Sequence, residues 1–370
     1  MKKKYFFIFI LIFCIGFIYG LSVDYLEIFP YENLKNIKLL LSQDDLTNFK
    51  QPTNFNIESI INIKNQSDIQ LKKEILVDYI WKNKVDLNSL YPDSIEKNYI
   101  DSRYNELENL KTISKFNITM DFDVKSTAYF FEPKSSNGEL VIYHQGHKGD
   151  FFYGKKTIEE LLNNDYSVLA FSMPLMGLNN QPTVDTTNFG PIFLNSHNKF
   201  HFLESKDFSP IKFFVEPIYS SLNYLDENNS FKKIHFVGIS GGGWTGIIYS
   251  AIDERISNTF SIAGTLPIFL RIEIKDIGDY EQTNSNLYSK INYLEMYVLS
   301  SYGDERKTVL IYNKYDPCCF DGTNSLLIQK PIKKILDSLE KGNFQIVIDE
   351  TGTKHEISDF SLDKILFLLK

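Results

Sequence analysis

The stretch IHFVGISGGGWTG, residues 234–246, constrains the fold more than any other part of the chain. In it an apolar run ends in a glycine-rich turn around Ser240, and a segment of helical character follows. A serine at such a strand-to-helix junction sits on a turn so tight that side chains two positions before and after it would collide, which accounts for Gly238 and Gly242. The pattern predicts that Ser240 projects alone from the edge of a sheet, at the N-terminus of the next helix.

Other glycine-rich turns have different spacings. A phosphate-binding loop requires G-x-x-x-x-G-K-[ST], and a dinucleotide-binding loop requires G-x-G-x-x-G near the first strand. The first spacing is absent, and Gly241, Gly243 and Gly246 match the second only late in the chain, far from the first predicted strand. The formal net charge of -8 also leaves no basic stripe to neutralise a phosphate backbone. We therefore expect no nucleic-acid partner.

From Phe116 to Lys370, short apolar runs alternate with helical stretches. Strands are predicted at 126–133, 139–146, 166–174, 232–240, 258–264, 307–313 and 343–349, and helices at 155–164, 209–225, 242–253, 325–341 and from residue 358. Such alternation favours an α/β fold with a mostly parallel central sheet flanked by helices. A long polar insertion, residues 266–304, interrupts the pattern, and we expect it to behave as a lid.

Two polar residues follow later strands. Asp316 comes within three residues of the strand KTVLIYN, and His355 lies in the loop between the last strand and the last helix. Asp321 and Asp349 are alternative acids, the first further from its strand end and the second close to the end of its own strand. Cys318, two residues after Asp316, suggests a thiol nucleophile, but the turn after the strand at 232–240 already carries Ser240 in that role.

The order Ser240, Asp316, His355 resembles that of the α/β-hydrolase superfamily, in particular its serine esterases of the dienelactone-hydrolase and acyl-esterase branch. The resemblance covers residues 116–370. It implies that Ser240 attacks the carbonyl of a small or acylated ester substrate to form an acyl-enzyme, that His355 takes the serine proton, and that Asp316 fixes the imidazole tautomer. It implies no cofactor.

The same resemblance implies an oxyanion hole made of two backbone N–H groups, from Gly241 and from His147. The loop YHQGHKGD is similar to the family's H-G-x-x-G pattern, with Gln145 where histidine is usual. His144 and His147 also suggest a metal pair. No third ligand stands at a readable spacing, so we expect no metal.

Two alternatives to an esterase remain open. A serine peptidase similar to the prolyl-oligopeptidases has the same strand order, although residues 22–115 are too short and unrepetitive for the propeller of that group. A non-catalytic binding member of the fold usually lacks one of the three catalytic residues, whereas all three are present here.

The N-terminus differs from the rest of the chain. Three lysines precede an unbroken apolar run from Tyr5 to Leu21, which is typical of a signal peptide or an N-terminal membrane anchor. We expect residues 1–21 to engage the membrane or the export machinery, so that the protein is exported; cleavage and retention are both open. Residues 22–115 form a polar extension with one helix-like patch at 67–83.

Overall fold

A computed structural model describes residues 55–82, 85–271, 274–321 and 323–370, together with positions 13, 16, 17, 19 and 20. The chain divides into two compact units, residues 1–55 and 56–370. Positions 13, 16, 17, 19 and 20 are helical, and the rest of the predicted leader lies outside the described residues. Among the residues described, no helix combines the length and the hydropathy that a membrane crossing requires.

The second unit is built on a nine-stranded sheet. The strands of the chain are β1 Ser94–Glu96, β2 Leu110–Thr119, β3 Lys125–Pro133, β4 Glu139–His144, β5 Ser167–Phe171, β6 Thr183–Thr186, β7 Gly190–Phe193, β8 Lys233–Ile239, β9 Ile256–Ile262, β10 Lys307–Asn313 and β11 Asn343–Asp349. The sheet order is β1-β2-β3-β5-β4-β8-β9-β10-β11, and β6 and β7 pair separately. Pairing is antiparallel from β1 to β5 and parallel from there to β11. The predicted, mostly parallel sheet is confirmed.

The described α-helices of the second unit are α1 Gln66–Trp81, α2 Lys155–Asn163, α3 Lys212–Asn228, α4 Gly241–Ile252, α5 Tyr280–Thr283, α6 Ser285–Tyr288, α7 Tyr293–Ser301, α8 Leu326–Ser338 and α9 Asp359–Leu369. Two hydrophobic cores are formed, which is what a sheet covered on both faces requires. The central strand β8 shows this directly, because every residue after Lys233 is buried.

The register of the parallel strands brings the candidate site together. His144 pairs with Gly238 between β4 and β8, and Asn313 pairs with Asp349 between β10 and β11. These strands therefore end at one edge of the sheet, and the loops that follow them emerge side by side. This edge is where ligands bind in open α/β sheets.

The described parts of the extension and of the insertion both contain regular secondary structure. Strand β2 begins at Leu110, so the sheet reaches into the segment 22–115. Helix α1 packs on the insertion through an ion pair of 2.9 Å between Lys72 and Glu295 of α7. It also meets α3, where the Trp81 indole N–H donates to Glu216 at 2.9 Å.

Candidate active site

The turn around Ser240 is as tight as its glycines predict. Ser240 has φ 56° and ψ -131°, a backbone conformation that costs a non-glycine residue about 1–3 kcal/mol. A Cβ at Gly238 would lie 2.2 Å from the carbonyl oxygen of Gly242, and a Cβ at Gly242 would lie 2.1 Å from that of His144. Only glycine fits these two positions, and the strained serine stands between β8 and α4.

Asp316 and His355 are joined by a hydrogen bond. The distance from His355 Nδ1 to Asp316 Oδ2 is 2.7 Å, and Asp316 is 1% exposed. The other carboxylate oxygen accepts the backbone N–H of Cys318 at 2.8 Å, which fixes the carboxylate plane. Burial lowers the pKa of His355, but the hydrogen bond and the charge of Asp316 outweigh it, so this pKa lies above its ordinary value.

Ser240 and His355 are not hydrogen-bonded to each other among the contacts of the described residues. Both ring nitrogens of His355 lie 3.9 Å from the thiol of Cys319. Because Nδ1 donates to Asp316, Nε2 is the nitrogen left to accept a proton. Catalytic serine–histidine bonds are often long without substrate and shorten when it binds.

The two alternative acids lie in other contacts. Asp321 forms an ion pair of 2.8 Å with Lys275. Asp349 is buried and accepts the backbone N–H groups of Thr351 at 2.8 Å and Gly352 at 3.0 Å, so it shapes the turn after β11. Of the three candidate aspartates, Asp316 is the one that contacts His355.

Asn313, the last residue of β10, holds the histidine loop and was not singled out from the sequence. Its side-chain amide donates to the carbonyl of Lys354 at 2.8 Å and to that of Glu356 at 2.9 Å. These carbonyls flank His355 on both sides. An asparagine at the strand end beside the acid loop was the available signal, but its partners lie about 40 residues later, across a strand–helix crossover.

The loop after β4 lies against the turn that carries Ser240. A Cβ at Gly146 would lie 2.5 Å from the Ser240 Cβ. Gln145 is braced here by the hydroxyl of Tyr143, which donates to its side-chain oxygen, and by its own N–H, which donates to Phe171 at 2.9 Å. The backbone N–H groups of Gly241 and His147 donate to no other described residue. Both are therefore free to donate to an oxyanion.

His144 does not pair with His147. Its ring is buried between Phe171 and Phe236, with Nδ1 2.9 Å from the carbonyl of Gln145. Burial lowers the pKa of His144 to about 4, so the ring is neutral at pH 7.

His147 belongs to a different group of side chains. Its ring packs on Gly241, and its Nε2 lies 3.0 Å from His197 Nδ1, 3.0 Å from Glu281 and 3.1 Å from Asp279. We call His147, His197, Asp279 and Glu281 the four-residue cluster. Three of its members come from segments far from the loop after β4, so sequence spacing gives no sign of it.

No protein-family model and no curated protein sequence matches the chain. Solved structures do. An acetyl xylan esterase from Paenibacillus sp. R4 is similar with a TM-score of 0.58 at 14% identity, over 88% of this chain and 98% of the other. Acetyl xylan esterase 1 from Thermoanaerobacterium sp. JW/SL YS485 gives 0.51 at 13% identity, over 85% and 98%. A methylesterase gives 0.56 at 12% identity, over 84% and 64%. With the strand order and the turn at Ser240, this likeness shows that the chain has the α/β-hydrolase fold.

Proposed function

We propose that the protein is a serine hydrolase that cleaves carboxylic esters through an acyl-enzyme intermediate. The observation that carries the proposal is the hydrogen bond between buried Asp316 and partly buried His355, at the sheet edge that also bears the strained Ser240. The similar structures with TM-scores above 0.5 bear esterase names, which supports an ester substrate, and the acetyl and methyl groups in those names support a small acyl or alkyl group.

In the proposed mechanism, His355 Nε2 removes the proton of Ser240 as the serine oxygen attacks the ester carbonyl. Asp316 holds the Nδ1 proton and stabilises the imidazolium that forms. The backbone N–H groups of Gly241 and His147 donate to the oxyanion, which they can do without first breaking other bonds. The imidazolium then protonates the leaving alcohol, and water, activated by the same histidine, releases the acid.

A cleft gives solvent a route to the base. It has a volume of about 510 Å³ and is lined in part by His355, Ile239, Gln145 and Tyr153. Lys148, Lys156 and Lys354 line it together with Glu356 and Asp359, so side chains of both charges face the cleft. We place the outgoing alcohol and the incoming water on this side of His355.

A fluorophosphonate probe followed by a substrate panel tests the proposal. The purified chain should be labelled at Ser240 and should hydrolyse short acyl esters at least tenfold faster than peptide amides of matched acyl groups. Faster amide cleavage would favour the peptidase alternative. No labelling and no turnover of either class would favour a binding protein and overturn the proposal.

We also propose that the leader, residues 1–21, directs export, since its lysine-flanked apolar run is typical of export signals and anchors. Fractionation of the native producer should place the protein outside the cytoplasm, and mass measurement of its N-terminus should distinguish a cleaved signal from an anchor. Full-length chain recovered from the cytoplasm would contradict this.

A further inference from the structure

The side-chain nitrogen and oxygen atoms of the four-residue cluster lie close together. His147 Nε2 lies within 3.1 Å of His197 Nδ1, Asp279 Oδ2 and Glu281 Oε1, and His197 Nδ1 lies 3.1 Å from Glu281 Oε2. All the candidate ligand atoms lie within 4.8 Å of one another. Glu281 is fully buried and His197 is 1% exposed.

Protons are too few to satisfy these atoms. His197 Nε2 lies 2.8 Å from the carbonyl of Pro174, which can only accept, so this nitrogen carries the ring's proton and Nδ1 presents a lone pair. A proton on His147 Nε2 could serve only one of the three atoms around it. Glu281 Oε1 is buried and forms no hydrogen bond, although His147 Nε2 lies 3.0 Å away. An unsatisfied buried carboxylate oxygen costs several kcal/mol, so the arrangement calls for a further positive group.

We propose that His147, His197, Asp279 and Glu281 bind a divalent transition-metal ion, with Zn²⁺ the best match. Zn²⁺ bonds of about 2.0–2.2 Å to nitrogen and oxygen place tetrahedral ligand atoms about 3.3 Å apart. The contacts of 3.0–3.1 Å need to lengthen by only a few tenths of an ångström, and the remaining ligand atoms already lie within 4.8 Å of one another. Two imidazoles favour Zn²⁺ over Ca²⁺ or Mg²⁺, which prefer oxygen ligands. Two carboxylates balance the charge of the ion.

The outer contacts suit a metal site. The Nε2–H of His197 donates to Pro174, which sets the tautomer that a ligating Nδ1 requires. Four protein ligands fill a tetrahedral ion, so the site is structural and leaves no position for substrate.

The ion would tie three separate segments together. His147 lies in the loop after β4, His197 opens the 3₁₀-helical segment His197–Phe202, and Asp279 and Glu281 lie in the insertion. The His147 ring packs on Gly241, so fixing the ring also fixes the two expected oxyanion donors relative to each other. This consequence for catalysis rests on the proposed function, whereas metal binding does not.

Metal analysis of the purified full chain tests the site. We expect about one Zn²⁺ per chain by mass spectrometry, and chelator-stripped protein should take up Co²⁺ with the strong visible absorption of four-coordinate cobalt. Glu281→Gln preserves shape and removes one ligand charge, and Asp279→Asn does the same at a partly exposed position; each should weaken Zn²⁺ binding at least tenfold. His201→Ala is the matched control, since His201 lies in the same segment but is exposed and packs against Tyr280.

The outcomes separate this proposal from the proposed function. Ser240→Ala should retain the ion in full while losing turnover, and a chain inactive on every ester can still bind Zn²⁺. Stripped wild-type protein that takes up neither Zn²⁺ nor Co²⁺ overturns the site. Wild-type metal content in folded Glu281→Gln and Asp279→Asn also overturns it, because the ion would then lie elsewhere.

Discussion

Two groups of charged side chains flank Ser240, and they are held in different ways. Asp316 and His355 follow β10 and β11 by a few residues, and the parallel pairing of those strands fixes where both loops start. The four-residue cluster draws on the loop after β4, the segment that opens at His197, and the insertion, none of which is a sheet neighbour of the others. The first group inherits its geometry from the sheet, whereas the second must be held by its own contacts.

The difference predicts where substitutions act. Changes to the strand-end group should alter the chemical step and leave the fold intact, because the sheet positions the loops without those side chains. Changes to the cluster should alter metal content and the order of the insertion first, and catalysis only through them.

The largest effect is expected for Ser240→Ala. Removing the nucleophile should lower kcat by roughly 10⁴- to 10⁶-fold, because the three residues act as a unit. Circular dichroism and thermal stability should be unchanged, because alanine keeps a Cβ at φ 56° and therefore the same backbone strain. Turnover within tenfold of wild type would show that Ser240 is not the nucleophile. The Asp316–His355 group would then have no catalytic role to compare with the four-residue cluster.

Asp316→Asn should follow, with a loss of roughly 10⁴-fold in kcat, because the amide cannot hold the required tautomer. Asp321→Asn and Asp349→Asn are the controls; in folded protein each should retain kcat within about tenfold. A larger loss of kcat in either control than in Asp316→Asn would show that the substituted aspartate, not Asp316, is the acid that pairs with His355.

The same variant gives a pH test. Catalysis needs neutral His355, so activity falls as pH decreases through the pKa of this residue, which Asp316 raises. Removing the charge and the hydrogen bond leaves burial, which lowers the pKa. The acidic limb of the kcat profile of Asp316→Asn should therefore shift to lower pH; a shift to higher pH would contradict the role of Asp316.

Asn313→Ala should have an intermediate effect. It removes the two hydrogen bonds to the carbonyls beside His355 and should lower kcat about 10- to 100-fold with little change in KM, because a misplaced base affects the transition state more than binding. The rate of fluorophosphonate labelling should fall in parallel. Asn343→Ala, at the exposed start of β11, is the control. An unchanged labelling rate in Asn313→Ala would show that the sheet alone positions the loop.

The smallest effect is expected for Cys318→Ser. Cys318 contacts the acid through its backbone N–H, which serine supplies equally, and its side chain is exposed. We expect kcat within about twofold of wild type. A loss of kcat above tenfold would show that the Cys318 thiol takes part in the reaction.

The alternation of strands and helices and the turn at Ser240 were readable from the sequence because both depend on local rules. Apolar runs of strand length bury themselves on both faces, and the glycines at 238 and 242 are the only residues that fit a turn so tight. The positions of Asp316 and His355 follow from the same rules, since strand ends are local features and parallel strands end together. Their contact at 2.7 Å is a consequence of that alignment.

Tertiary structure alone decided the contacts between segments far apart in the chain. Asn313 reaches the carbonyls beside His355 across a crossover, and His147 meets Glu281 at 3.0 Å across 134 positions of sequence, counted from their numbers. No local periodicity encodes such distances, because the path of the insertion depends on how α7, which lies within it, packs against α1 and α4. A single histidine in the loop after β4 therefore predicts only a backbone donor, and its three side-chain partners become visible once the insertion is folded.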